Sequence, residues 1–370
     1  MKSRNTQDLT TGRPITQIFL FAIPLVLGTL FQQLYSFVDT VIVGRFVGVD
    51  ALAAVGTTYS LNFLILGFVQ GLCVGFGILL AQSFGAHDKK ELDQYFMNGT
   101  GLSAIISVVL AAATFLLARP LLILIRTPEN ILDMAVVYIQ VIFIGIPAAV
   151  LYNYSACALR AVGDSRHPFY FLVFSSVLNI VLDYVFIVPF GCGVAGAAWA
   201  TVISQLASGV LNSWWLLKRT GVIEWQKDVR GFSGRHVKKL CQIGIPMGLE
   251  YSVSAIGAVV MQGAINSLGS VAVAAQTAGE KIRQMFTLPM ESVGMAMATY
   301  VGQNYGAKRM DRIRQGIASG LTIQYLYCIV IWFVIFLLKR PLVGLVLGET
   351  VSEIAAGAIQ YLSLMSLLFF

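Results

Sequence analysis

The first long apolar stretch of the chain contains a single acid. Ile15 to Val38 holds no charged residue, Asp39 follows, and Val41, Ile42 and Val43 continue the apolar run. Twenty-four helical residues rising ~1.5 Å each are enough to cross a hydrocarbon core of ~30 Å, so Asp39 is expected near the outer end of a membrane helix. A carboxyl there is costly unless it faces protein or a watery cavity, which makes it a functional candidate; the alternative is a helix-end aspartate in the headgroup region. A second acid lies on a later apolar segment with a matching amide: Asn179 and Asp183 are i and i+4 and share one helical face. Thr201 lies eight residues into the next segment, about 12 Å along its axis. These four groups can meet at one depth. Two carboxyls, an amide oxygen and a hydroxyl form an all-oxygen set suited to a hard cation, and a carboxyl withdrawn from water can instead carry a proton at physiological pH. The residues do not choose between the two. A polar clamp that only fastens the helices together is the third alternative.

The elements that must position these groups follow from composition. Hydrophobic residues make up 57% of the 370 and charged residues only 12%, with a mean hydropathy of +0.78; a soluble chain would carry about twice that charged fraction. The expected class is an all-α polytopic membrane protein. Apolar segments fall at about 15–44, 52–83, 95–118, 131–158, 167–188, 193–217, 240–266, 273–303, 315–338 and 351–370, giving ten spans. With the N-terminus cytoplasmic, 18 Lys/Arg lie inside and five outside, so the charge of +7 orients the chain in the bilayer and implies no nucleic acid; the expected location is the inner (plasma) membrane. The stretch from Met1 to Pro14 is polar and is expected to stay uncleaved. Five scattered cysteines form no CxxC pair, so neither a disulfide framework nor a thiolate metal site is expected. His87, His167 and His236 all fall in predicted loops, which leaves any membrane proton to carboxyls.

An internal repeat runs at an offset of 221 to 222 residues. Ile23-Pro24-Leu25 matches Ile245-Pro246-Met247, Gln82-Ser-Phe-Gly-Ala86 matches Gln303-Asn-Tyr-Gly-Ala307, and Arg119-Pro120-Leu121 matches Arg340-Pro341-Leu342; Gly48 to Ala54 matches Gly269 to Ala275. One copy has six spans, an even number, so the two repeats are parallel. The expected domains are an N-terminal lobe, 1–217, a cytoplasmic linker, 218–239, and a C-terminal lobe, 240–370, with four spans. Phe370 corresponds to Ala149, so the last two helices of the second copy are missing from this sequence: either the chain is truncated, which the ending in Leu-Leu-Phe-Phe favours, or it is a ten-span form with an incomplete second lobe.

The Pro24 helix followed by Val38-Asp39-Thr40 and Gly44-Arg45, the Ala161-Val-Gly-Asp164 loop, Leu178-Asn179-Ile-Val-Leu-Asp183 and Gly302-Gln-Asn-Tyr-Gly-Ala307 resemble the multidrug and toxic compound extrusion (MATE) transporters over essentially the whole chain. The resemblance implies two six-helix lobes in a V, exporting amphipathic, often cationic compounds in exchange for Na⁺ or H⁺. It places the first-lobe ion or proton site on Asp39, Asn179, Asp183 and Thr201, and helix bends on Pro24 and, by the repeat, Pro246. Asp39 maps to Val260, so the second lobe lacks this acid and has Glu250, Glu280 and Glu291 instead. Glu291, behind Pro289, is the better candidate for cation or substrate contact; Glu280 is expected to pair with Arg283, and Glu250 is not carried over from the family.

Gly67, Gly71 and Gly75 read as a close helix contact. Phe31, Tyr35, Phe63, Tyr152 and Tyr154 are candidate cavity liners. No HExxH, GxSxG or intramembrane histidine is present, so an enzyme is not expected, nor is a cofactor beyond the coupling ion. The expected partners are a small drug-like molecule and the lipid bilayer, with no obligatory protein partner. A lipid-linked oligosaccharide flippase of related fold is the alternative; it would be expected to line its cavity with several cations, whereas the spans hold mainly acids, with Lys281 and Arg283 as their bases.

Overall fold

The computed structural model describes residues 7–223, 231–266, 270–347 and 353–367. These form eleven helices: α1 (Pro14–Phe46), α2 (Val49–Gly85), α3 (Lys89–Leu124), α4 (Glu129–Ile144), α5 (Ile146–Ala161), α6 (Arg166–Ile187), α7 (Gly193–Lys218), α8 (Gly234–Asn266), α9 (Ser270–Gly306), α10 (Met310–Leu347) and α11 (Glu353–Leu367). Six are long and apolar enough to cross a membrane. The α4–α5 pair, bent by 46°, makes a seventh. Of the ten expected spans, α8, α9 and α11 fall outside that group among the described residues. Glu250 interrupts the apolar run of α8, while Glu280, Lys281, Arg283 and Glu291 interrupt that of α9; α11 is 15 residues long.

The repeat is visible in helix lengths: α1 and α8 each have 33 residues, and α2 and α9 each have 37. Its register reaches single residues. Each Gln-x-x-Gly-Ala motif ends its helix and is followed by a left-handed non-glycine residue, His87 (φ 56°) in one copy and Lys308 (φ 57°) in the other.

The lobes cross by exchanging partners, with α2 packed on α8 and α1 on α9. The glycine stripe of α2 makes the first crossing possible. A methyl group on Gly71 would overlap the Met247 carbonyl of α8, and one on Gly75 would lie 2.6 Å from Gly244 Cα. Small residues at four-residue spacing let two backbones approach this closely. The second crossing is an apolar cluster of Ile18, Phe21, Ala22 and Leu25 with Val293, Ala296 and Tyr300.

Helices α1 and α8 continue on both sides of Pro24 and Pro246, each proline removing one i→i−4 hydrogen bond. Two sequence expectations change in detail. The break falls at Gly145, between α4 and α5, where Pro147 follows in the first turn of α5 and a side chain at 145 would strike Val202 of α7. Two of the three histidines are also not loop residues. His167 and His236 sit in the first turns of α6 and α8, where they contact Asp164 Oδ2 at 2.6 Å and Glu91 Oε2 at 2.9 Å. The five cysteines are free thiols.

Candidate functional site

The C-terminal half of α1 is its less buried part. Gly28, buried against Leu172 of α6, and the buried Ile42 and Val43 anchor it at either side, and no residue between them is buried. Asp39 lies in this stretch. On α6, Asn179 is 2% exposed and Asp183 fully buried, which follows from their shared face turned toward α1 and α7, the two helices α6 packs on most.

The Asp39 and Asp183 carboxyls face each other across the α1–α6 contact and act on one another electrostatically. No basic side chain is among the groups acting on either. Asp39 Oδ1, both carboxyl oxygens of Asp183, and the oxygen and nitrogen of the Asn179 amide are buried without a hydrogen-bond partner. Buried polar atoms are almost always satisfied, and five unpartnered atoms on three neighbouring side chains make this cluster the candidate site. A polar cleft of about 20 Å³, the room one water-sized guest needs, opens beside Asn179. It is lined by Gln32, Tyr35, Tyr152, Ser175, Thr201 and Ser204, among others. Thr201 donates its own proton to the Ala197 carbonyl at 3.1 Å, which leaves its oxygen lone pairs free to face the cleft.

The structure therefore brings Asp39, Asn179, Asp183 and Thr201 to one region. It also adds residues the sequence did not single out. Tyr138, on α4 and 7% exposed, feels the charge of both aspartates, and Gln32 and Gln205 reach the cleft. Tyr138 sits between Val137 and Ile139 in the apolar run of α4, and nothing in its spacing pointed to the aspartates. Of the proposed aromatic liners, Tyr35 and Tyr152 face the cleft and Phe31 and Phe63 are exposed. Tyr154 does not line a cavity: it is buried in the first-lobe core and donates to the Phe96 carbonyl at 2.9 Å.

In the second lobe Glu280 is engaged structurally. It accepts from Arg283 Nε at 2.8 Å and from the Tyr361 hydroxyl of α11 at 2.7 Å, with Arg283 Nη2 on its other oxygen. Tyr361→Phe is expected to cost about 1 kcal/mol of stability, read as a lower melting temperature in detergent, with efflux unchanged; a selective loss of efflux would show that Glu280 does more than fasten α9 to α11. Glu250 and Glu291 are exposed and lie within electrostatic reach of Tyr251, while Glu291 also acts on Tyr59 across the lobe junction.

Long apolar helices in two parallel repeats that cross by exchanged partners, with a buried acid pair between α1 and α6, are the architecture of a multi-pass membrane protein of the transporter class. The MatE family model matches residues 24–185 and 246–370, two stretches that begin at the repeat-related Pro24 and Pro246, and the chain belongs to this family of MATE transporters. It is 31% identical over 362 residues to the probable multidrug resistance protein YoeA of Bacillus subtilis, covering 95% of this chain and 77% of that one. It is also 23% identical over 339 residues to the FAD transporter of Shewanella oneidensis, covering 90% and 74%. Among solved structures, a MOP superfamily transporter from Pyrococcus furiosus superposes with a TM-score of 0.92 at 25% identity, covering all of this chain and 82% of that one.

Proposed function

We propose that this protein is a secondary antiporter that exports amphipathic, often cationic compounds in exchange for Na⁺ or H⁺ taken up at Asp39, Asn179, Asp183 and Thr201. The observation that carries the reading is the facing pair of carboxyls without a basic partner, beside an unsatisfied amide. Two carboxylates this close repel unless a proton or a metal cation neutralises them. An empty pair pushes α1 and α6 apart, and a filled pair draws them together. The unburied stretch of α1 between Gly28 and Ile42 is the part free to respond. Neutralisation thus becomes a change in the shape of the outer cavity, and drug release follows from it. Glu291 and Glu250, exposed between the lobes, would hold the cationic end of the substrate. The inner membrane with a cytoplasmic N-terminus is the proposed setting, because the basic residues collect at that end of the bundle.

The test is dye efflux from everted vesicles under a Na⁺ gradient and a pH gradient imposed separately. Efflux driven by one of them names the coupling ion, and silence under both overturns the reading. The second reading is a carrier of anionic molecules, as the name of the Shewanella relative suggests; it predicts uptake or export of a flavin nucleotide and indifference to Glu291→Gln.

A further inference from the structure

Residues 7–12 precede α1, and composition alone marks them as a polar lead. In the structure they are wedged under both lobes. Leu9 is fully buried and Thr10 is 5% exposed. On the first-lobe side, Gln7 N donates to the Gly163 carbonyl at 3.3 Å in the α5–α6 turn. Gly163 has φ +86°, and any side chain there would strike the Gln7 backbone.

The remaining bonds go to the other lobe. Leu9 N donates to Gln303 Oε1 at 3.0 Å, and Asn304 Nδ2 donates back to the Leu9 carbonyl at 3.2 Å. Arg309 holds the Thr10 carbonyl at 3.1 Å. Arg312 is the centre of the set: it donates to the carbonyls of Leu9, Thr11 and Gly12 at 3.2, 3.2 and 2.9 Å, and through Nε to Asn304 Oδ1 at 3.0 Å. Gln303 uses its amide nitrogen to cross to the first lobe, reaching the Ala161 carbonyl at 2.8 Å. Charge-assisted bonds of this kind are about twice as strong as neutral ones.

At the repeat offset the first lobe has no such cradle. Ser83, Asp88 and Glu91 stand where the second lobe has Asn304, Arg309 and Arg312, and Glu91 is occupied by His236. The strap is specific to one side of the junction.

We propose that residues 7–12 bolt the cytoplasmic side of the transporter shut, with Gln303 and Arg312 as the residues that position the bolt. This rests on the alternating-access reading above. When the lobes part at this end, a segment tied to both must let go of one. The single Gln7–Gly163 bond and the Gln303–Ala161 bond are the weaker side, so the strap leaves with the second lobe. Inward opening then requires a fixed, small number of bonds to break at the first-lobe turn.

The experiment places spin labels at the exposed Lys90 and Arg314, near the starts of α3 and α10 in opposite lobes, in the full chain with its other thiols replaced, reconstituted in nanodiscs. Arg312→Ala is expected to raise the population with a long cytoplasmic distance about tenfold, Arg312→Lys to restore part of the closed population, and deletion of residues 1–11 to match Arg312→Ala. A merely structural role would lower the melting temperature of Arg312→Ala and leave the distance distribution in place. That result, or a deletion that leaves the distances unchanged, overturns the bolt. The distances are read without any substrate or gradient, so a chain that fails to export drug would refute the antiporter reading and still decide this one.

Discussion

Asp183→Asn is expected to abolish gradient-driven efflux and to make the protein more stable. The first effect follows from the site: Asp183 is fully buried, faces Asp39, and has neither oxygen satisfied. An amide is neutral at every pH, so it carries no proton through a cycle and gives a cation half the charge. Transport should fall to the level of empty vesicles while membrane insertion, read by protease protection, is unchanged. The second effect has the opposite sign for the same reason. Removing a buried carboxyl that repels its neighbour relieves a cost of ~1 to 3 kcal/mol, and the Asn amide can donate to Asp39 where the acid, once ionised, could not. A rise in melting temperature with loss of efflux is the signature of a group kept for function against stability. Persistent coupled efflux would remove Asp183 from the mechanism, and a fall in stability would mark the cluster as a helix clamp.

Gly85→Val, at the opposite end of the bundle, is expected to stop export by preventing closure. The last turns of α2 and α9 cross there in mutual contact: a side chain on Gly85 would overlap the Gln303 carbonyl, and one on Gly306 would overlap the Gln82 carbonyl. Backbone sits on both sides of each contact, so no side-chain rotation makes room. The strain, ~1 to 3 kcal/mol by comparison with overpacked cores, falls only on the state in which this end is shut. The equilibrium should move about tenfold or more toward the state open at the basic end, seen as cysteine labelling from that side, together with loss of drug resistance. Gly306→Val should behave in the same way. If either variant keeps both closure and efflux, the crossing is not the gate.

Much of the candidate site was legible because a membrane makes polar residues conspicuous. Asp39 was visible as the first acid in a long apolar run, and Asn179 with Asp183 as a pair one turn apart. Their meeting depended only on helix rise and alternating direction, which are regular enough to count. Glu280 was read as a partner of Arg283, and the structure adds Tyr361, which no local spacing could supply because α11 lies far along the chain. The polar lead at residues 7–12 was read only as uncleaved sequence; Leu9 is one apolar residue among polar neighbours, and its complete burial is decided by the second lobe, almost 300 residues away. The break at Gly145 had a local signal, Gly145 followed by Pro147, but the unbroken apolar run over 131–158 hid it; the close approach of Val202 on α7 is the part no local spacing shows. At Pro24 and Pro246, where bends were expected, the helix continues on both sides, since one missing backbone bond is tolerated when neighbouring helices hold both sides.

The Gln-x-x-Gly-Ala crossing carries one more implication. Gly85 meets Gln303 and Gly306 meets Gln82, so each motif is both the knob and the socket of the other. Contacts with this reciprocity are isologous, the type that joins two identical subunits about a two-fold axis. The junction therefore demands one copy of the motif from each side and nothing that distinguishes the two. A single six-helix unit bearing Gln82 to Ala86 already contains both halves of the contact, so gene duplication and fusion would have inherited a working seam rather than having to invent one. The residues that make the contact, Gln82 and Gly85 against Gln303 and Gly306, are the same in both copies, while differences such as Ser83 against Asn304, Glu91 against Arg312 and Asp39 against Val260 lie beside it.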